Sequence, residues 1–161
     1  MAKLDKDAIL KELWEKAKPL SVDDARMIFL NFSGHESEYN KAGDRNFGIR
    51  LDSEDLVNKA LKYGYNVKYR QEGDESIPWI KVKVKYGKKP PHIYMKSRGK
   101  VTEITEDTVS LVDDADILKA NCIISPYPYV MPTGQYGIAA YLKTLYLTVI
   151  EDKFAADFFG D

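Results

Sequence analysis

Residues 78–100 read PWIKVKVKYGKKPPHIYMKSRGK. In the first half, Ile80, Val82, Val84 and Tyr86 alternate with Lys81, Lys83 and Lys85. A period of two sends the apolar side chains to one face of a strand, towards a core, and the ammonium groups to the other. Gly87-Lys88-Lys89-Pro90-Pro91 breaks helix and ladder alike, so the spacing predicts a short turn and a return strand, a hairpin. On that return strand Ile93 and Met95 face one way and His92, Tyr94, Lys96 and Arg98 the other. The segment holds seven Lys, one Arg and no acid, in a chain whose formal net charge is −1.

Two explanations compete for this field. Lysines on a solvated sheet face guard against edge-to-edge aggregation. Alternatively, the face is a floor for a polyanion. Cations would neutralise phosphates and the interleaved rings would stack on bases, the combination used by sequence-tolerant binders of single strands. A reader of duplex grooves would more naturally present a basic recognition helix, and none is evident.

The rest of the chain bounds these options. A length of 161 residues fits one domain. At 44% hydrophobic the chain can bury a core, and at 30% charged it should be soluble. No apolar run approaches the roughly 20 residues of a membrane span, and the start lacks the apolar centre of a signal peptide. Cys122 is the only cysteine. An intracellular, cytoplasmic setting is expected. Charge is sorted along the chain: residues 101–125 carry six acids against Lys119 alone, and residues 151–161 are again acidic. General stickiness therefore does not explain the central field.

In chain order, Asp5–Ala17 predicts a helix capped by Asp5 or Asp7, with Ala8, Ile9, Leu13 and Trp14 as its apolar stripe. Residues 1–25 are expected to form a helical appendage, with Pro19–Asp24 as a connector. Arg26–Ser33 predicts a buried strand, and Asn46–Leu51 another. The loop between holds His35, Tyr39, Lys41 and Arg45, residues as ordinary in a loop as in a binding site. Ser53 and the acids after it announce a helix that Gly64 ends. Tyr65–Arg70 predicts a strand and Gln71–Ser76 a polar loop. Thr105–Val112 predicts a short helix, and Lys119–Tyr129 a strand in which Cys122 fills the core. Ser125–Pro132 is expected to break its ladder. Tyr136–Ile150 predicts the closing strand, with a bulge near Gly137, Tyr141 and Lys143 on one face and Tyr146 on the other. The sum is a mainly β domain over 26–150 with helical insertions, a five-stranded Greek-key barrel of the OB type, an architecture that commonly binds oligonucleotides.

Signatures of catalysis are lacking. His35 and His92 are far apart, and the sequence has no HExxH, CxxC, glycine-rich phosphate loop or nucleophile elbow. Asp113-Asp114-Ala115-Asp116 lacks the glycine and distal glutamate of a calcium loop, so capping in a solvated turn is the simpler reading. A metal-dependent nuclease would need acids where the phosphates lie, and the basic face has none. No enzyme activity, cofactor or metal is expected.

Three blocks resemble a known family: NFSGHESEYNKAGDRNFGIRL (31–51), WIKVKVKYGKKPPHIYMKSRGKVTEI (79–104) and GQYGIAAYLKTLYLTVIEDKF (134–154). The chain resembles phage-encoded single-stranded DNA-binding proteins built on the OB-fold. The resemblance implies a cationic, aromatic groove that takes a single strand with little sequence choice, in phage replication or recombination. Phosphate contacts are then expected from Lys81, Lys83, Lys85, Lys88, Lys96, Arg98 and Lys100, with Arg45, Lys68 and Lys143 extending the path. Tyr86, Tyr94, Tyr127 and Tyr141 are the expected stackers, although strict alternation would bury Tyr86. It also implies an acidic C-terminal tail, residues 151–161, that meets replication or recombination proteins through Phe154, Asp157, Phe158, Phe159 and Asp161. This tail departs from the family pattern by ending on Gly160-Asp161 and by containing Lys153. DNA against RNA, and association with further copies of the chain, stay open. The other class compatible with the sequence is an adaptor or inhibitor that binds a host protein.

Overall fold

The computed structural model describes residues 5–38 and 40–150. Helix α1 (Lys6–Lys16) starts where the Asp5 carboxylate accepts the Ala8 N–H at 3.1 Å. It buries Leu13 and leaves Trp14 exposed. Strands β1 (Leu20–Val22), β2 (Arg26–Asn31) and β3 (Arg45–Arg50) follow. Helix α2 (Glu54–Lys62) is capped by Ser53, whose hydroxyl accepts the Leu56 N–H at 3.1 Å, and it stops at Gly64 in the left-handed region, φ +83°. The remaining strands are β4 (Val67–Glu72), β5 (Glu75–Val84), β6 (His92–Ser97), β7 (Lys100–Ile104), β8 (Ile117–Val130) and β9 (Tyr136–Val149), with a 3-10 turn at Val109–Val112.

The described strands form one sheet that does not close. Its main path runs β1-β8-β9-β5-β3-β2, with β4 on β5 and β6 joining β7 to β9. The expectation of a mainly β fold with helical insertions holds, but the described residues form nine strands where five were expected. Two strands fall in stretches not read as strands: the supposed connector contains β1, paired to β8 through Leu20↔Ile124, and β7 follows the tight turn after β6. Residues 71–76, expected as a loop, mostly lengthen β4 and β5, which turn at Gly73-Asp74.

The expected hairpin around Pro90-Pro91 is not one. Strand β8 occupies one edge of β9 along its length, Ile117↔Val149 to Val130↔Tyr136. The other edge receives β5 (Val82↔Ala140, Lys83↔Tyr141) and then β6 (His92↔Thr144 to Lys96↔Thr148), both parallel to β9. Residues 82–96 thus run along β9 in one direction, interrupted by the loop at 85–91. Alternation reports which face a residue takes, and it says nothing about which strand lies alongside. The true tight turn comes later: Arg98 (φ +54°) and Gly99 (φ +73°) join β6 to β7, the positive φ pair of a type I′ connection.

Two further expectations are corrected. The ladder does not break at Ser125–Pro132, because β8 and β9 stay paired through Pro126↔Ala140 and Pro128↔Ile138. Strand β1 reaches only Ile124 on the opposite side, so both prolines sit where β8 is an edge, and an edge tolerates a missing N–H. Gly137 marks no bulge. A Cβ there would come within 2.9 Å of the Tyr129 hydroxyl, so the glycine seats that side chain. The bulge lies further along β9, where the register passes from Ile124↔Leu142 to Ile123↔Thr144 and leaves Lys143 as the extra residue. Leu142 and Leu145 therefore both point inward, and Tyr141 and Tyr146 share the outer face that simple alternation had separated.

The core collects Phe47 and Ile49 of β3, Ile80 and Val82 of β5, Ile124 of β8, and Leu142, Leu145 and Leu147 of β9. Phe32 stacks on Phe47 with centroids 4.9 Å apart. Cys122 is buried, as its reading as core filler required, and burial pushes its thiol up to about 12. Native Cys122 should therefore not react with a thiol reagent at pH 8 faster than the chain unfolds. The sign for stability follows. Above about pH 9 the unfolded chain loses the thiol proton while the folded chain keeps it, so stability falls as pH rises towards 12. Denaturant titrations at pH 8 and pH 10.5 should show a smaller decline for Cys122→Ala than for the native chain.

Asp113, read from sequence as a solvated capping residue, ties the turn after β7 to the end of β2. Its two carboxylate oxygens accept the N–H groups of Phe32 and Ser33 at 2.7 and 2.9 Å. Charge-assisted bonds of this kind contribute roughly 1.5–3 kcal/mol each. Asp113→Ala should cost about 2–4 kcal/mol in urea unfolding, with Asp113→Asn losing less.

Candidate nucleic-acid interface

Alternation along β5 buries Ile80, Val82 and Val84 and turns Trp79, Lys81 and Lys83 to the outer face. The neighbouring strands complete that face. On β3, Gly48 lies opposite Lys81 and Asn46 opposite Lys83. On β9, Tyr141 lies opposite Lys83, with the Lys83 ammonium 5.9 Å from the ring centroid. The Tyr127 ring of β8 meets Tyr141 edge to face at 5.4 Å and is itself 56% exposed. On β4, Lys68 pairs with Trp79 and holds its ammonium 5.5 Å from the indole.

Two depressions open on this wall. One, about 420 Å³, is lined by Lys68, Lys81, Lys83, Tyr127, Tyr129 and Tyr141 among others. The second, about 460 Å³, is lined by Arg45, Lys85 and Tyr86, and again by Lys81, Lys83 and Tyr141. Those three shared residues join the depressions into one groove across β5.

The electrostatics are one-sided at the centre. Among the described residues, no carboxylate pairs with Lys68, Lys81, Lys83 or Lys85. Acids stand around it: Asp44 lines the second depression, Glu106 meets Arg45 at 3.3 Å, Asp52 meets Arg50 at 3.2 Å, and Glu72 lies 3.8 Å from Arg70. Tyr86 is half-buried, with the Arg45 guanidinium carbon 5.5 Å from its ring centre. Burial raises its hydroxyl pKa, against a lowering by Arg45.

The structure therefore brings together Lys81, Lys83, Lys85, Lys68, Arg45, Tyr86, Tyr127 and Tyr141 from the sequence-based set. It does not bring the others to this groove's lining. Lys88 is exposed on the loop between β5 and β6. Tyr94 and Lys96 pair with Tyr146 and Thr148 of β9, beyond the bulge, and with Glu103 and Val101 on their other side. Arg98 and Lys100 stand at the β6–β7 turn, and Lys143 is the exposed bulge residue. Phe154, Asp157, Phe158, Phe159 and Asp161 lie outside the described residues, as does Tyr39. Sequence reasoning missed Trp79, although it is in phase with Lys81 and Lys83. Its pairing with Arg50 of β3 on one side and Lys68 on the other fixes it on this wall.

The sequence model of the phage ssDNA-binding domain family matches residues 11–159. The chain belongs to that family. Single-stranded DNA binding is therefore its function in outline. Solved phage ssDNA-binding proteins share the fold. The C-terminally truncated single-stranded DNA-binding protein of bacteriophage Enc34 is 11% identical, with a TM-score of 0.54 over 83% of this chain and 87% of its own. The same phage protein in complex with ssDNA gives 10% identity and a TM-score of 0.54 over 84% and 89%. No curated protein sequence matches. Among the described residues no helix is long and apolar enough to cross a membrane.

Proposed function

We propose that this phage ssDNA-binding domain coats single-stranded DNA through the groove across β5, without enzymatic activity, in phage replication or recombination in the host cytoplasm. The observation that carries this reading is the centre of the groove, where Lys81 and Lys83 pair with no carboxylate among the described residues and are flanked by the half-buried ring of Tyr141 and the exposed ring of Tyr127. Phosphates sit on the lysines, and bases stack on the tyrosines. Stacking accepts every base because each has a π-face, which gives affinity with little sequence choice. Glu106 beside Arg45 and Glu72 beside Arg70 set the ends of the strongly cationic stretch. The acidic, phenylalanine-bearing residues 151–161 are read as the element that meets other replication or recombination proteins.

The test is a titration of labelled dT oligonucleotide and of a duplex of equal length at two salt concentrations. Tight, salt-sensitive binding of the oligonucleotide with weak binding of the duplex is expected. Binding of neither would overturn the reading and favour an adaptor of proteins, and loss of labelled strand on adding Mg²⁺ would restore the nuclease.

A further inference from the structure

Past the Trp79 end of the groove, β2 makes a detour that the core does not ask for. Its register with β3 runs Ile28↔Gly48 and then Asn31↔Asn46, so two residues of β2 stand against the single Phe47. One of the two is Phe29, held at φ +53°. A bulky residue in the left-handed region is strained, and such strain persists where the surroundings impose it. Without the bulge, alternation would turn Phe29 inward opposite Phe47. With it, Phe32 takes the stacked place on Phe47 and Phe29 turns outward, 50% exposed.

The outward ring is not isolated. It meets Trp79 edge to face with centroids 5.2 Å apart, and the Arg70 guanidinium carbon lies 4.9 Å from its centre. The indole in turn rests over Gly48, where a Cβ would come within 2.8 Å of the Trp79 ring and of Ile28. A glycine on β3, a bulge on β2 and a tryptophan on β5 together build two adjacent rings, Phe29 exposed and Trp79 half-buried. Lys68 and Arg70 of β4 stand beside them, on the face that carries Lys81.

We propose that Phe29 and Trp79 form a second base-stacking station, in which an unpaired base leaving the central groove stacks on the exposed aromatic surface and Lys68, which pairs with no carboxylate among the described residues, takes the adjoining phosphate. The inference rests on the groove being the strand's path. It adds at least one nucleotide to that path on the β2 side and assigns the positive φ of Phe29 a purpose, presentation of a ring that regular pairing would bury.

The experiment uses the full chain with Trp14→Phe, which leaves Trp79 as the only indole. Affinities are measured for dT oligonucleotides of increasing length, with Trp79 fluorescence as a local signal. In the parent, long oligonucleotides quench Trp79 and short ones that fill only the central groove bind without quenching it. Phe29→Gly suits the backbone at φ +53°, so it removes the ring without adding strain. Its melting temperature should be retained or raised, while affinity for long oligonucleotides falls about five- to 150-fold, the loss of one stacked base, and short ones bind as before. Phe29→Trp should restore the long-oligonucleotide affinity. Unchanged affinity of Phe29→Gly at every length, with wild-type binding intact, overturns the station and leaves the groove standing. A parent that binds no length overturns both.

Discussion

Replacing Lys81 and Lys83 together by alanine should weaken binding to oligo-dT about 25-fold at 0.1 M salt and flatten its salt dependence. On single strands each neutralised phosphate contributes about 0.7 to the slope of log affinity against log salt. Two lost contacts therefore lower the slope by about 1.4, and one decade below 1 M salt turns that into the stated loss. The two residues line both depressions and pair with no carboxylate of the described residues. Lys83 is exposed and Lys81 half-buried, so the melting temperature should hardly change: substitutions at such positions usually stay within about 0.5 kcal/mol. A double variant that binds more weakly with an unaltered salt slope would mean that the lysines shape the wall without touching phosphates.

That prediction depends on a part of the fold that was readable from the sequence. The alternation of β5 named its buried and exposed faces correctly, because period two is a local property of a strand. The same logic found β3, β9 and the capped helix α2. Pairing was not readable, because it depends on residues distant in sequence. Pro90-Pro91 signals an interruption equally well for a hairpin and for two strands that follow one another along β9, and only the edge already filled by β8 decides between them. Bulges escaped for a related reason. Lys143 and Phe29 occupy stretches whose composition suits an ordinary strand, yet each shifts its neighbours to another face. Phe29 was read as core on its composition. Trp79 was legible and overlooked, since it holds the same phase as the lysines that follow it.

The sharpest consequence of the misread pairing concerns two tyrosines that the sequence ranks alike. Tyr141 stands where the two depressions meet, opposite Lys83 and in edge contact with Tyr127. Tyr94 is carried on β6 beyond the bulge, with Glu103 opposite on β7. A carboxylate at that register repels a phosphate, and the groove's cations are on another part of the sheet. Tyr141→Ala should therefore lose roughly 1–3 kcal/mol of binding to oligo-dT, about five- to 150-fold, with most of that recovered in Tyr141→Phe because the stacking surface is retained. Tyr94→Ala should change affinity less than twofold. Direct titration of the three variants at one salt concentration decides the matter, with thermal melts confirming that each is folded. The Tyr141→Ala effect has a second source beyond its own ring: Tyr127 leans on it and Lys83 points over it, so its removal frees both to move away from the strand. Loss at Tyr94 equal to that at Tyr141 would move the path of the strand off β5 and onto β6.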